Sequence, residues 1–251
     1  MSYELGALLM VDREQVRAFL HVQGEQWNAG DHDGFITSYQ AVAPNGFHME
    51  FPVGGPVHSG WKVLEDLWAG HQGKMTVSYP VIAFADNGEF AVVEKVDVMV
   101  DGVAHGHHGV HAYVLRDGEL LVRYFSESPL PNAAARATKA FLAHQYDRWN
   151  ETDRDGFFAA YESFTGDRFD VEFPIGTPAN PGRPTLEQLW QGYQATTRLR
   201  HRLIVVTDSN DGAVWVGNER EVDGRLHVNN SIEFYSVRDD GLHIRYFHEG
   251  H

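Results

Sequence analysis

The sequence predicts an α+β protein built from two fused copies of one unit. Three observations carry this. The chain is written twice at a fixed shift of 122 residues, which carries Trp27 to Trp149 and Arg123 to Arg245. Each copy opens with apolar residues at helical spacing and closes with strand-like segments, the order of an α+β fold. Asp-Gly pairs punctuate the later part of the repeat, where hairpin turns need them.

The repeat is read directly. "QWNAGDHDGF" (26–35) returns as "RWNETDRDGF" (148–157), and "MEFPVGGP" (49–56) as "VEFPIGTP" (171–178). "LEDLWAGHQ" (64–72) returns as "LEQLWQGYQ" (186–194), and "LLVRYFSES" (120–128) as "LHIRYFHEG" (242–250). From Ala18 to Ser128 the register needs no gap, and about 40 of roughly 110 aligned positions are identical. A fixed internal period sets the domain plan before any other reading. It gives domains at 1–128 and 129–251, joined by the proline-containing "SPLPNAAARA" (128–137).

Each element has a local reason. Asp12 and Gln15 start a first helix whose apolar face is Val16, Phe19, Leu20 and Trp27. Asp31 caps a second, carrying Phe35, Ile36 and Tyr39. "GFHMEFPVGGP" is a strand entering a Gly/Pro loop. Leu64, Leu67, Trp68 and His71 mark one face of a third helix. Strands are expected near 77–85, 90–101, 104–116 and 120–127, with turns at "VDG" (100–102) and "RDGE" (116–119).

Composition narrows the function classes. The net charge of −15 repels phosphate backbones and anionic membrane surfaces, so neither nucleic acid nor membrane is expected as a partner. With no cysteine, disulfides, thiolate chemistry and Cys-ligated zinc are excluded. The apolar run Leu5 to Val11 lacks a basic flank and a cleavage site, and no stretch approaches a membrane span. A soluble cytoplasmic protein is the expectation.

"WNAGDHDGF", "MEFPVGGPVHSG", "LEDLWAG" and "GELLVRYF", in this order and twice over, resemble the SnoaL-like and ketosteroid-isomerase-like group of the nuclear transport factor 2 superfamily. The resemblance covers nearly the whole chain. It implies cone-shaped units, each a curved, mostly antiparallel sheet wrapping three helices around a blind pocket. It also implies an internal pseudo-dimer through the sheets, with further homo-oligomerisation open, and chemistry without cofactor or metal. Against the isomerase pattern, Phe51 and Phe173 stand where the catalytic aspartate belongs, and Gln23 and Gln145 fall near its tyrosine. His111 and Glu233 fall near its oxyanion-holding acid.

Strand alternation then selects the pocket walls. His105, His107, His111 and Tyr113 share one parity, and Glu94 on the preceding strand faces the same way. The second copy offers His227, Asn229, Glu233 and Tyr235, with Asn218 and Arg220 opposite. Apolar walls are expected from Trp27, Phe51 and Phe125, and from Trp149, Phe173 and Phe247. His58 and Trp61, on the loop 54–61, are expected over the mouth of the first pocket.

Histidine can take and return a proton near neutrality, and a half-buried carboxylate such as Glu233 can act as an acid. Arg220, Tyr113 or Tyr235 could hold a developing oxyanion. The expected function is a cofactor-independent lyase or isomerase acting by general acid–base chemistry. Elimination, retro-aldol cleavage and cyclisation all remain open. The substrate is expected to be a small, largely apolar aromatic or polyketide-like molecule, and the first copy is the favoured site. The rivals are a non-catalytic binding or assembly module and a metal-dependent enzyme at His105, His107 and His111. Glu50 and Glu172 read as structural, and Arg123 and Arg245 as ion-pair partners of Asp31 and Asp153.

Overall fold

A computed structural model describes residues 12–85, 87–101, 103–166, 168–173 and 177–249. The apolar run Leu5 to Val11 and Gly102 of the first expected turn lie outside the described residues. Asp12 caps α1 (Arg13–Ala29), accepting from the Glu14 amide at 2.9 Å. Asp31 caps α2 (His32–Val42), accepting from the Gly34 amide at 3.0 Å. Then follow β1 (Gly46–Glu50), β2 (Val57–Ser59), α3 (Gly60–His71), β3 (Met75–Phe84), β4 (Glu89–Val100), β5 (Val103–Arg116) and β6 (Glu119–Phe125).

The same order repeats. It runs α4 (Ala133–Asn150), α5 (Arg154–Thr165), β7 (Phe169–Glu172), β8 (Asn180–Pro181), α6 (Gly182–Tyr193), β9 (Thr197–Val206), β10 (Asp211–Val222), β11 (Arg225–Arg238) and β12 (Gly241–His248). Asp117 and Gly118 turn one hairpin with φ of 51° and 75°, and Asp223 and Gly224 turn another with 51° and 71°. Two successive positive φ values define the turn whose twist matches paired strands.

Hydrogen bonds recur at the same shift. Asn28 exchanges two with the backbone of Val77 (2.9 and 2.8 Å), and Asn150 two with Leu199 (2.7 and 2.9 Å). The indole N–H of Trp27 donates to the Met75 carbonyl, and that of Trp149 to the Thr197 carbonyl.

In each unit the sheet is antiparallel except for one parallel contact, β1 with β6 or β7 with β12. The concave face of each sheet packs on its own helices around Leu20, Phe35 and Tyr113, or Leu142, Tyr161 and Tyr235. The convex faces pack on each other. Ala91, Val93, Val110 and Phe125 meet Ala213, Ile232, Phe234 and Phe247 in a third, shared core. One backbone pair, His248 with Phe84, joins the two sheets at their edges. The fold is thus the expected α+β arrangement, with helices on one face of the curved sheet and a shared core on the other.

Two sequence expectations are corrected here. Phe125 and Phe247 do not line pockets. Leu120, Val122 and Tyr124 take the inward parity of β6, so Phe125 points into the shared core, 4.8 Å from Phe234 between ring centroids. Arg123 and Arg245 pair with Glu50 and Glu172, each at 2.6 Å, rather than with Asp31 and Asp153. The two aspartates are used as helix caps, and Asp153 also meets Arg148 at 2.9 Å.

Candidate active site

The large cavity lies in the second unit. It has a volume of about 1030 Å³ and is walled by Trp149, Phe157, Phe173, Leu186, Leu189 and Tyr246. Its polar strip comes from β10 and β11: Asn218, Arg220, His227, Asn229, Ser231 and Glu233. Period-two alternation of the strands puts these residues on one face. Arg13, Phe84 and Ala85 of the first unit complete the mouth, so the pairing of the cones shapes this pocket.

Glu233 is buried at the end of the polar strip. Its Oε2 accepts from the hydroxyls of Tyr146 and Tyr235, each at 2.6 Å, and Ser231 Oγ lies 3.3 Å from Oε1. Gln145 donates to the Tyr235 hydroxyl at 2.9 Å and accepts from Tyr161, which fixes both rings. Burial pushes the Glu233 pKa above the usual carboxylate value, against the lowering effect of the Tyr146, Tyr235 and Ser231 hydrogen bonds. Burial likewise holds the hydroxyls of Tyr146 and Tyr235 protonated, with the nearby carboxyl adding to it.

His248 lines the same cavity from β12. It sits directly opposite Ser231 on β11, while Tyr246 sits opposite Glu233. His248 and Glu233 are therefore diagonal neighbours on one face, with Cα atoms roughly 7–8 Å apart. The ring is open to solvent at the mouth, yet desolvation by the surrounding protein lowers its pKa below the ordinary histidine value. One group is thus biased to hold its proton and the other to lack one, the arrangement that assigns acid and base roles.

The corresponding interior of the first unit is built differently. Glu94 is buried there, 3.3 Å from Nε2 of the buried His111, and accepts a short hydrogen bond from Tyr124. The His111 and Tyr124 ring centroids lie 3.5 Å apart, with the ring planes tilted by 39°. Burial works against the Glu94 charge, but the attraction of His111 and the Tyr124 hydrogen bond together take its pKa below the usual value. Tyr79 fills the space left by Gly24, and its hydroxyl donates to Gln23 at 2.6 Å.

The expected shared volume of His105, His107, His111, Tyr113 and Glu94 does not form. Glu94 and His111 meet, and Tyr113 is buried beside them. His105 and His107 are opposite Val98 and Val96, and both are exposed toward the hairpin tip. The cause is strand rise, about 3.3 Å per residue, which spreads residues of one parity along the sheet. Among the described residues, no group of three or more His, Cys, Asp or Glu side chains is placed to hold a metal.

His58 is exposed on β2, and Trp61 packs on Phe47 rather than over the mouth. Trp27 belongs to the helix–sheet core, and Phe51 is half-open against Tyr124. In the second unit, Glu233 and Tyr235 are in contact, whereas Arg220 and His227 lie at the far end of the strip from them. Among the described residues, no helix is long and apolar enough to cross a membrane.

Sequence reasoning missed Tyr146, His248 and Thr197. Reading the copies against each other would have found them. Tyr146 replaces Gly24, His248 replaces Ser126 and Thr197 replaces Met75.

No family model matches the chain, and no curated protein matches it. Solved structures are similar over just under half of it. Bal32a, from a soil-derived mobile gene cassette, is 11% identical over 46% of this chain and 91% of its own, with a TM-score of 0.38. SalBIII, an epoxide hydrolase/cyclase-like enzyme of pyran ring formation in the polyether salinomycin, is 13% identical over 44% and 91%, with a TM-score of 0.36. A protein with a cystatin-like fold from Methylobium petroleophilum PM1 is 15% identical over 49% and 81%, with a TM-score of 0.38.

Proposed function

We propose that the second unit (129–251) is the working half of a cofactor-independent acid–base enzyme, a lyase or isomerase of the SnoaL-like kind. The first unit (1–128) serves as its structural partner. The observation that carries this is Glu233: a buried carboxyl, gripped by two tyrosines, in an apolar-walled cavity one rung from His248. An epoxide hydrolase/cyclase-like enzyme among the similar structures is in keeping with this reading.

The chemistry follows from the two biased groups. Both tyrosines occupy Oε2 of Glu233, so the acid's proton resides on Oε1. A substrate carbonyl oxygen accepts a hydrogen bond from that proton. Neutral His248 takes a proton from the adjacent carbon, and the electron pair moves into the carbon–oxygen unit to give an enol or enolate. Collapse of the enol returns the proton elsewhere on the carbon frame, which is isomerisation. Alternatively the carbonyl re-forms, its proton stays with Glu233, and a β-hydroxyl is expelled, which takes the proton held by His248 and leaves as water, and this is elimination. Each route needs one acid, one base and a dry wall. The apolar lining selects a mostly apolar substrate, and the volume accommodates two or three fused rings.

The test needs no knowledge of the natural substrate. The protein should accelerate deuterium uptake from D₂O into the α-position of 1-tetralone, followed by NMR. Glu233→Gln and His248→Ala should each lose on the order of a hundredfold or more, the usual share of general acid–base catalysis. Uptake no faster than in buffer, or unaffected by both substitutions, would leave the second unit as a binding module.

A further inference from the structure

At the mouth of the second cavity three strands place three polar residues in register. Thr197 on β9 pairs with Arg220 on β10, and Arg220 pairs with His227 on β11. All three line the cavity. Directly paired residues on one face lie about 5 Å apart, so the three form one transverse row.

None of the three side chains has a partner among the described residues. Thr197 is more than nine-tenths buried, and its Oγ1 has no hydrogen-bond partner among the described residues. The Arg220 side chain has no hydrogen bond, ion pair or ring contact among them either. Glu249 also lines the cavity but accepts from the side chain and backbone of Asn230, at 2.7 and 3.2 Å. Arg13 reaches the same mouth from the first unit, its guanidinium 5.4 Å from the Phe84 ring centroid.

The first unit shows that the row is not a requirement of the fold. Its equivalents, in the same register, are Met75, Val98 and His105. A hydroxyl and a guanidinium thus stand only where the large cavity is. An unpaired buried hydroxyl is costly, and its retention needs an explanation.

Resting on the second cavity as the substrate site, we propose that the Thr197–Arg220–His227 row binds a carboxylate at one end of the substrate. The planar guanidinium fork matches a carboxylate in two parallel hydrogen bonds, and the Thr197 hydroxyl supplies a further donor. The row lies six residues along β11 from Glu233, about 20 Å of strand at 3.3 Å per residue. The substrate is therefore an elongated, mostly apolar acid. Its carboxylate is anchored at the mouth and its reacting carbonyl lies near Glu233.

The probe is 4-(1-pyrenyl)butyrate, compared with its methyl ester by fluorescence titration of the full chain. The acid should bind roughly tenfold or more tightly than the ester, the share of a charge-assisted hydrogen bond. Arg220→Met should erase that preference while leaving the ester's affinity unchanged, which also shows that the variant is folded. Thr197→Val should reduce the preference by a smaller factor. Equal affinity of acid and ester in the unaltered protein, weaker binding of both to Arg220→Met, or binding of neither overturns the assignment. Deuterium uptake by 1-tetralone, which has no carboxylate, reports the acid–base reading separately.

Discussion

Glu94 on β4 of the first unit and Glu233 on β11 of the second are both buried on inner strands, and their surroundings drive them in opposite directions. Glu94 meets an imidazole at 3.3 Å and is held ionised. Glu233 meets only hydroxyls and is biased toward its neutral form. The hydroxyl count does not decide this, since both accept from tyrosine. The deciding difference is His111, whose equivalent in the second unit is Glu233 itself. In the first interior the carboxylate is engaged by His111 and Tyr124. The second keeps an acid and opens onto a cavity lined by a histidine biased toward its neutral form.

The largest expected effect is on stability in the first unit. Glu94→Leu leaves His111 without its carboxylate in a closed interior, and losing one partner of a buried pair costs about 3–5 kcal/mol. Chemical denaturation should read it as a lower midpoint at unchanged slope. A stable Glu94→Leu protein would mean the pair is ornamental, and the contrast between the units would weaken.

Next in size is Glu233→Gln. Its expected hundredfold loss in deuterium uptake corresponds to about 2.7 kcal/mol of barrier. Its folding should change far less than that of Glu94→Leu, because the amide oxygen still accepts from Tyr146 and Tyr235. Glu94→Gln, assayed beside it, should retain uptake wherever the protein remains folded.

The smallest effect is in pH dependence, and the two glutamates should have opposite signs. Glu94 has a folded pKa below its ordinary 4.5, so its contribution is present above that pH and is lost as pH falls through the folded value. Glu233 has a folded pKa above 4.5, so its contribution is present below that pH and is lost as pH rises through the folded value. Relative to the unaltered protein, Glu233→Gln should therefore gain stability as pH rises above 4.5, and Glu94→Gln should lose less on acidification. Melting temperatures across pH 3–8 (roughly the range in which carboxylates and histidine titrate) would separate the two.

The fold was legible because its signals are local and repeated. Asp12, Asp31 and the Asp-Gly turns act where they stand in the chain, and the 122-residue register doubled every signal. The candidate site was half legible. Parity placed Glu94, His111, Glu233 and Tyr235 on inner faces, where the structure has them. Parity says nothing of depth, so His105 and His107 were drawn into a volume that they miss by several rungs. On the last strand of each unit the inward residues are Tyr124 and Tyr246, one position before the expected Phe125 and Phe247. The choice between the pockets depended on Tyr79 against His201 and Gly24 against Tyr146. These are differences in ring placement that hydropathy does not register.

The central claim is that the second unit holds the working acid. Carboxyl-carbon NMR of the glutamates, titrated with pH and then with 1-tetralone, tests it most directly. The account predicts that Glu233 titrates above the ordinary carboxylate range and Glu94 below it. It also predicts that added ketone shifts the Glu233 resonance while leaving Glu94 in place. A Glu233 signal that titrates normally and ignores the ketone, with Glu94 responding instead, would contradict the account and return the chemistry to the first unit.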